Sequence, residues 1–219
     1  MYHVIQYNYR KGGYMAKETK ITKDKILEAA FDIVRSKGIE EVSNRTIAKK
    51  LDCSIRPIYY QFNNSDELKR ELYKKIDDYF YKFLMNNMTD DIPYYKQIGI
   101  NYIKFAREEK NLFKVLFMSK SDYLPERFVS KNENNYKEIS NLIRLSTKLD
   151  DKEIKTFHIK MWIFAHGLAT LLVTDTVVLN EKQVASLLSS EFQALMLLEE
   201  NPDNKWNLEK YKDWRDRNE

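Results

Sequence analysis

Cysteine occurs once in 219 residues, at Cys53, so no internal disulfide can staple this chain. A single thiol fits a reducing compartment, and its place in a predicted helix–helix turn reads as a small packed residue rather than a redox sensor. Five glycines and four prolines are also few. A sheet-rich fold needs many tight turns built on those residues, and no stretch sustains a period-two alternation of polar and apolar. There are three histidines, no glycine-rich phosphate loop and no His-Glu-x-x-His motif. No nucleophile sits beside an evident base, so the expectation is not an enzyme, with no metal and no cofactor. No apolar run approaches the roughly 20 residues of a membrane-spanning helix. The apolar residues near the N-terminus are interrupted by Asn, Gln and Arg, unlike a signal peptide. These absences predict a soluble, cytoplasmic protein with no membrane partner.

What is present points to helices. Hydrophobic residues make up 43% of the chain, enough for a core, and charged residues 32%, as amphipathic helices with solvated outer faces require. The net charge of +4 is modest, but its distribution is uneven. Residues 15–76 hold 14 Lys and Arg against 10 Asp and Glu, and Arg10 and Lys11 precede them. Positive charge therefore gathers in the N-terminal part, as a phosphate-binding domain needs.

The most informative stretch is 43–68, SNRTIAKKLDCSIRPIYYQFNNSDEL. Ser43 is a predicted N-cap for a helix over 44–51, with Ile47, Ala48 and Leu51 on one apolar stripe. Asp52 and Cys53 form a turn. Ser54 is expected to cap a second short helix reaching Gln61, whose first turn tolerates Pro57. Ile58 and Phe62 face inward, leaving Ile55, Arg56, Tyr59 and Tyr60 outward. Asn64 starts the next helix, with Glu67 completing a variant capping box. Helix, tight turn and helix form the unit that lays its second helix in the major groove of DNA. Arg56 is suited to a guanine edge, and Tyr and Ser hydroxyls to phosphate oxygens.

Residues from about 22 to 79 resemble the N-terminal domain of the TetR family of transcriptional regulators. The resemblance rests on Gly38, Thr46-Ile47-Ala48, Leu51, Ser54, Ile58-Tyr59-Tyr60-Gln61-Phe62 and Glu67-Leu68. It implies DNA contacts from Asn44, Arg45, Thr46, Ser54, Ile55, Arg56, Pro57, Tyr59 and Tyr60. Ser65 stands where many members carry a phosphate-binding lysine, and Lys69, one turn later, is the expected substitute. The further pattern Trp162-x-x-x-His166-Gly167-Leu168-Ala169 resembles a subgroup with a Trp-His-Gly signature in the C-terminal domain. That implies a four-helix bundle formed with a second subunit, in which Ala165, Gly167 and Ala169 permit close approach. The almost wholly apolar run 161–172 agrees, since a helix apolar all round is covered on more than one side.

The expected fold is all-α, with an N-terminal three-helix helix-turn-helix domain and a C-terminal helical bundle for dimerisation and ligand binding. Helices are predicted over 23–37, 44–51, 54–61, 65–88, 94–109, 111–118, 126–148, 151–178 and 181–200, with 119–125 a loop. Residues 1–21 read as a leader or flexible arm, 22–79 as the DNA-binding domain, 80–200 as the dimerisation and effector domain, and 201–219 as a charged tail. Lys11-Gly12-Gly13 before Met15 is encodable as a ribosome-binding sequence, so translation is expected to start at Met15.

His158, Trp162 and His166 fall at four-residue spacing, but the two histidines lie about 12 Å apart along a helix and cannot share one metal ion. By resemblance the C-terminal domain takes a small effector, apolar or amphipathic. Phe105, Phe113, Phe117, Met118, Trp162 and His166 are the expected lining. The predicted function is a homodimeric repressor that binds a pseudo-palindromic double-stranded operator and is released by that effector. The alternative is a DNA-bound architectural or division factor of the same fold without a ligand, for which a filled core would speak.

Overall fold

The computed structural model describes residues 21–119 and 133–200, and every regular element among them is helical. Nine α-helices follow in order: α1 Lys23–Lys37, α2 Asn44–Lys50, α3 Arg56–Gln61, α4 Ser65–Leu84, α5 Tyr94–Glu108, α6 Lys110–Phe117, α7 Glu133–Ser146, α8 Asp151–Val173 and α9 Glu181–Glu200. The expected leader, the 201–219 tail and most of the 119–125 loop lie outside the described residues.

Local chemistry sets most of the boundaries. The Thr22 hydroxyl caps α1, and Gly38 ends it at φ 98°, a backbone that a side chain would strain. Ser43 and Thr46 form a reciprocal capping box at α2. Asp150 and Glu153 do the same for α8. Most helices end within two residues of the sequence expectation, and two stop well short of it. α4 ends at Leu84 rather than 88, and α8 at Val173 rather than 178. Asn87 and Asp175 each take a left-handed backbone just beyond, which a continuing helix does not allow.

One apolar cluster runs through the molecule. It joins Ile26, Phe31 and Val34 of α1 to Ile47, Ile58 and Leu72, and continues through Ile103, Phe105, Phe113 and Ala169 to Leu188 of α9. A second, smaller cluster gathers Tyr95, Ile143, Ile154, Phe157, Met161 and Leu195. Phe105, Phe113 and Phe157 are completely or almost completely buried. Side chains of this size contribute about 1.5–3 kcal/mol each on burial. The residue-79/80 division falls inside α4, which carries Leu68 and Leu72 at its start and Phe80 and Leu84 at its end into one core.

α8 is long and apolar enough to cross a membrane by length and composition. Its packing gives another reason for that composition. It lies against α5, α7 and α9 at once.

Candidate nucleic-acid interface and interhelical cavity

The turn between α2 and α3 is closed by backbone hydrogen bonds. The Cys53 amide donates to the Ala48 carbonyl at 3.0 Å, and the Asp52 amide to Lys49 at 3.3 Å. Asp52 takes φ 50°, the left-handed position that often falls to glycine and that Asp tolerates. α3 then starts slightly later than expected, its cap one position on from Ser54. Its N-cap is Ile55, without a side-chain hydrogen bond, so Ser54 is exposed and does not cap it. Pro57 sits in the first turn, where it removes no helical hydrogen bond.

Ile58 and Phe62 anchor α3 in the core. Its opposite side is open. Tyr60 is 83% exposed, Tyr59 61% and Ile55 41%, and Arg56 is exposed beside them. Arg56, Tyr59 and Tyr60 share a helical face by their spacing. Arg45, Lys49, Arg56, Lys69 and Arg70 are exposed, and none has an ion pair among the described residues. Thr46 is more occupied than expected. Its hydroxyl accepts from the Ser43 amide at 2.9 Å and lies 2.7 Å from the Glu41 carbonyl, so much of its capacity goes to holding α2. Asn44 is half-buried at the same helix start.

The junction to α4 is also fixed. Asn64 caps α4 through the Glu67 amide at 2.8 Å. Glu67 reaches past the cap to the Asn63 amide at 2.8 Å, one residue earlier than the usual capping box. Hydrogen bonding from Asn63 and Lys23 holds the Glu67 carboxyl below its ordinary range. Lys23 of α1 also reaches Glu71 at 3.3 Å, and its ammonium sits 5.1 Å from the Phe62 ring centre.

A buried carboxylate links α1 to α6. Glu109, between α5 and α6, is 3% exposed and accepts two hydrogen bonds from Arg35 at 2.8 and 2.5 Å. It also accepts from the Tyr79 hydroxyl of α4 at 2.9 Å. The Asn111 amide donates to the Arg35 carbonyl at 3.1 Å. Hydrogen bonding to Glu109 raises Arg35, and burial with the same carboxylate raises Tyr79. Sequence reasoning missed this site because Glu109 reads as the last residue of an ordinary helix.

A cavity of about 880 Å³ opens between α4, α5, α7, α8 and α9. Its walls mix aliphatic side chains with aromatic ones, among them Tyr81, Tyr95, Tyr136, Trp162 and Phe192. Two tyrosine–histidine pairs join α5 to α8. The Tyr95 hydroxyl lies 3.1 Å from His158 Nδ1, and that of Tyr102 lies 2.9 Å from His166 Nδ1. Burial pushes the His158 imidazole down to about 4 and lowers His166 as well. The hydroxyl of Tyr81, a lining residue, bonds to Glu138 of α7, and burial with that contact pushes it up to about 12.

Of the six residues expected to line an effector site, Phe117 and Trp162 do so. Phe105 and Phe113 do not, because both are wholly buried among other rings of the core. Met118 is 44% exposed and outside the cavity. His166 sits behind the wall, stacked on Trp162 at 4.8 Å and 20°. The larger set, with His158 and Tyr95 at its centre, was partly signalled by the four-residue spacing of His158, Trp162 and His166. Ala165 and Ala169 are buried within the protomer, so of the three small residues expected at a subunit contact only Gly167 is exposed.

No protein-family model matches the chain. The biofilm operon icaADBC HTH-type negative transcriptional regulator IcaR of Staphylococcus epidermidis is 26% identical over 137 residues, spanning 62% of this chain and 69% of that protein. Among solved structures, a TetR-family regulator of Vibrio parahaemolyticus aligns at TM-score 0.58 and 17% identity, over 78% of this chain and 96% of that one. A TetR-family regulator of Haemophilus influenzae gives TM-score 0.58 and 17% identity over 78% and 94%. The multidrug binding protein EbrR, solved with imidazole, gives 0.52 and 18% over 77% and 88%. Each of these relatives except EbrR is named as a transcriptional regulator. The fold of this chain is that of the TetR-family transcriptional regulators, the family that its 43–68 motif resembles.

Proposed function

We propose that this chain is a sequence-specific DNA-binding transcriptional regulator, a homodimeric repressor released from its operator by a small molecule. The carrying observation is the exposed face of α3. Two tyrosines, an isoleucine and an unpaired arginine stand in solvent on a helix whose other side is locked into the core. Exposed large apolar and aromatic groups gathered on one helix favour a partner surface over plain solvent. Arg56 suits a guanine in the major groove, and the hydroxyls of Tyr59 and Tyr60 suit flanking phosphates. Arg45 and Lys69, at the starts of α2 and α4, add charge for the backbone.

The repressor sense follows IcaR, which is named as a negative regulator. Release by a ligand follows the cavity, since 880 Å³ left open in a protomer core is the size of a small-molecule site. The effector-free alternative calls for a filled core and fits this cavity poorly. Dimerisation follows the outer stripe of α8, where Ile163, Gly167 and Leu171 recur at four-residue spacing, with Leu187 and Leu197 exposed on α9. A two-fold pair would present two copies of α3 to half-sites about one helical turn apart on a pseudo-palindrome.

Selection of binding sequences from a random DNA pool should return such a pseudo-palindrome. In gel shifts on that sequence, Arg56→Ala should weaken binding by about 1–3 kcal/mol and relax preference at one base pair. Tyr59→Phe should weaken binding on all sequences alike. Unchanged affinity in both variants refutes the assignment of α3.

A further inference from the structure

The cavity walls also constrain the charge and shape of what fits between them. We propose that the ligand is an uncharged, flat aromatic molecule carrying one hydrogen-bond acceptor, which lies between the aromatic walls and accepts from the Nε2–H of His158. This rests on the effector reading above.

The first argument concerns one proton. Tyr95 is buried, and its hydroxyl has His158 Nδ1 as its only hydrogen-bond partner among the described residues. A buried hydroxyl left without an acceptor is costly, and burial holds Tyr95 in its protonated form. The hydroxyl therefore donates, and Nδ1 accepts. Burial keeps the imidazole neutral, so its remaining proton is on Nε2. His158 lines the cavity, its Nε2–H has no partner among the described residues, and a ligand acceptor would satisfy it.

The second argument concerns shape. The Tyr95 ring centre is 6.0 Å from that of His158, and Tyr136 of α7 is 6.5 Å from the same ring. Phe192 of α9 lies 6.4 Å from Tyr95. Trp162, one turn after His158, is braced from behind by His166. Rings presented from four helices match a flat π-system better than a branched aliphatic one.

The third argument concerns charge. Every buried lining residue among the described ones is uncharged, from Leu84 and Ile98 to Met161 and Leu188. The four charged ones balance. Asp77 and Lys96 are half-buried, and Asp90 and Lys155 are exposed. Asp90 is also bonded by the Tyr94 hydroxyl. An ionic ligand would surrender its hydration with no buried counter-charge to meet it.

Three tricyclic probes of similar outline test this on the full chain by equilibrium dialysis. Fluorenone carries a carbonyl, fluorene lacks it, and N-methylacridinium is a cation. Fluorenone should bind about three- to tenfold more tightly than fluorene, as one hydrogen bond to a neutral acceptor allows. His158→Phe should reduce fluorenone to the level of fluorene, and His158→Gln, which keeps an N–H donor, should restore part of the gap. N-methylacridinium should bind more weakly than either. Equal affinities for fluorenone and fluorene on the unaltered chain overturn the proposal whether or not the variants fold. So does tighter binding of the cation. Gel shifts on the same preparations separate the two readings. Specific DNA binding with none of the probes retained overturns this ligand class and leaves the regulator standing. Fluorenone retention without specific DNA binding does the reverse.

Discussion

A histidine held neutral by burial makes stability depend on pH with a definite sign. His158 sits at about 4 in the folded protein, against an ordinary value near 6.5. Between those values the unfolded chain binds a proton that the folded one refuses. The stability contribution is therefore fully present above about pH 6.5 and is lost as pH falls towards 4. The loss is on the order of 3 kcal/mol once both limits are passed. Thermal melts of the unaltered chain should fall between about pH 7 and about pH 4.5, and those of His158→Gln should fall less. Parallel curves would rule out His158 as the cause. His166, lowered in the same direction, leaves a residual slope in the variant. Single residues differed in how readable they were. Ser43, Asn64 and Gly38 act on neighbours within three or four positions, so their capping roles were legible. The partner of His158 is 63 positions away on another helix, and no local pattern announces it.

At the scale of elements, the buried Glu109 carboxylate ties α1 to α6, with Tyr79 of α4 as its third contact. The pair is asymmetric, since the Arg35 side chain is 51% exposed and that of Glu109 only 3%. Removing the arginine leaves a buried charge with a single hydroxyl donor. Arg35→Leu should therefore destabilise by about 3 kcal/mol, and Glu109→Gln, which removes the charge itself, by less. Chemical denaturation of both variants checks the order, and equal losses would contradict the account. The junction also places the start of α6 beside α1, while its other end, at Phe117, meets the cavity. Helix existence was legible throughout, because the apolar stripes of α1, α5 and α6 repeat at helical spacing and are buried as expected. Leu145 of α7 comes two residues after the buried Ile143, on the other side of the helix, and is 80% exposed as that period requires.

At the scale of the whole molecule, the outer stripe of α8 is the test of assembly. Ile163 is 59% exposed within the protomer, so Ile163→Asp costs the isolated fold little. Sedimentation should show the unaltered chain as a dimer and this variant shifted towards monomer, with operator binding weakened in parallel. A variant that remains dimeric places the interface elsewhere. The position of the cavity was the least legible property. Phe105, Phe113 and Phe117 are the same residue type on adjoining helices, yet two fill the core and one lines the opening. Because one apolar cluster reaches from α1 to α9, an operator and an effector, on the function proposed above, would act on a single cooperative unit. Each alone should then raise the same melting temperature, although in the proposed function they oppose one another. Added together they should raise it by less than the sum of their separate shifts. That shortfall reports the coupling between the two sites, readable from heat alone.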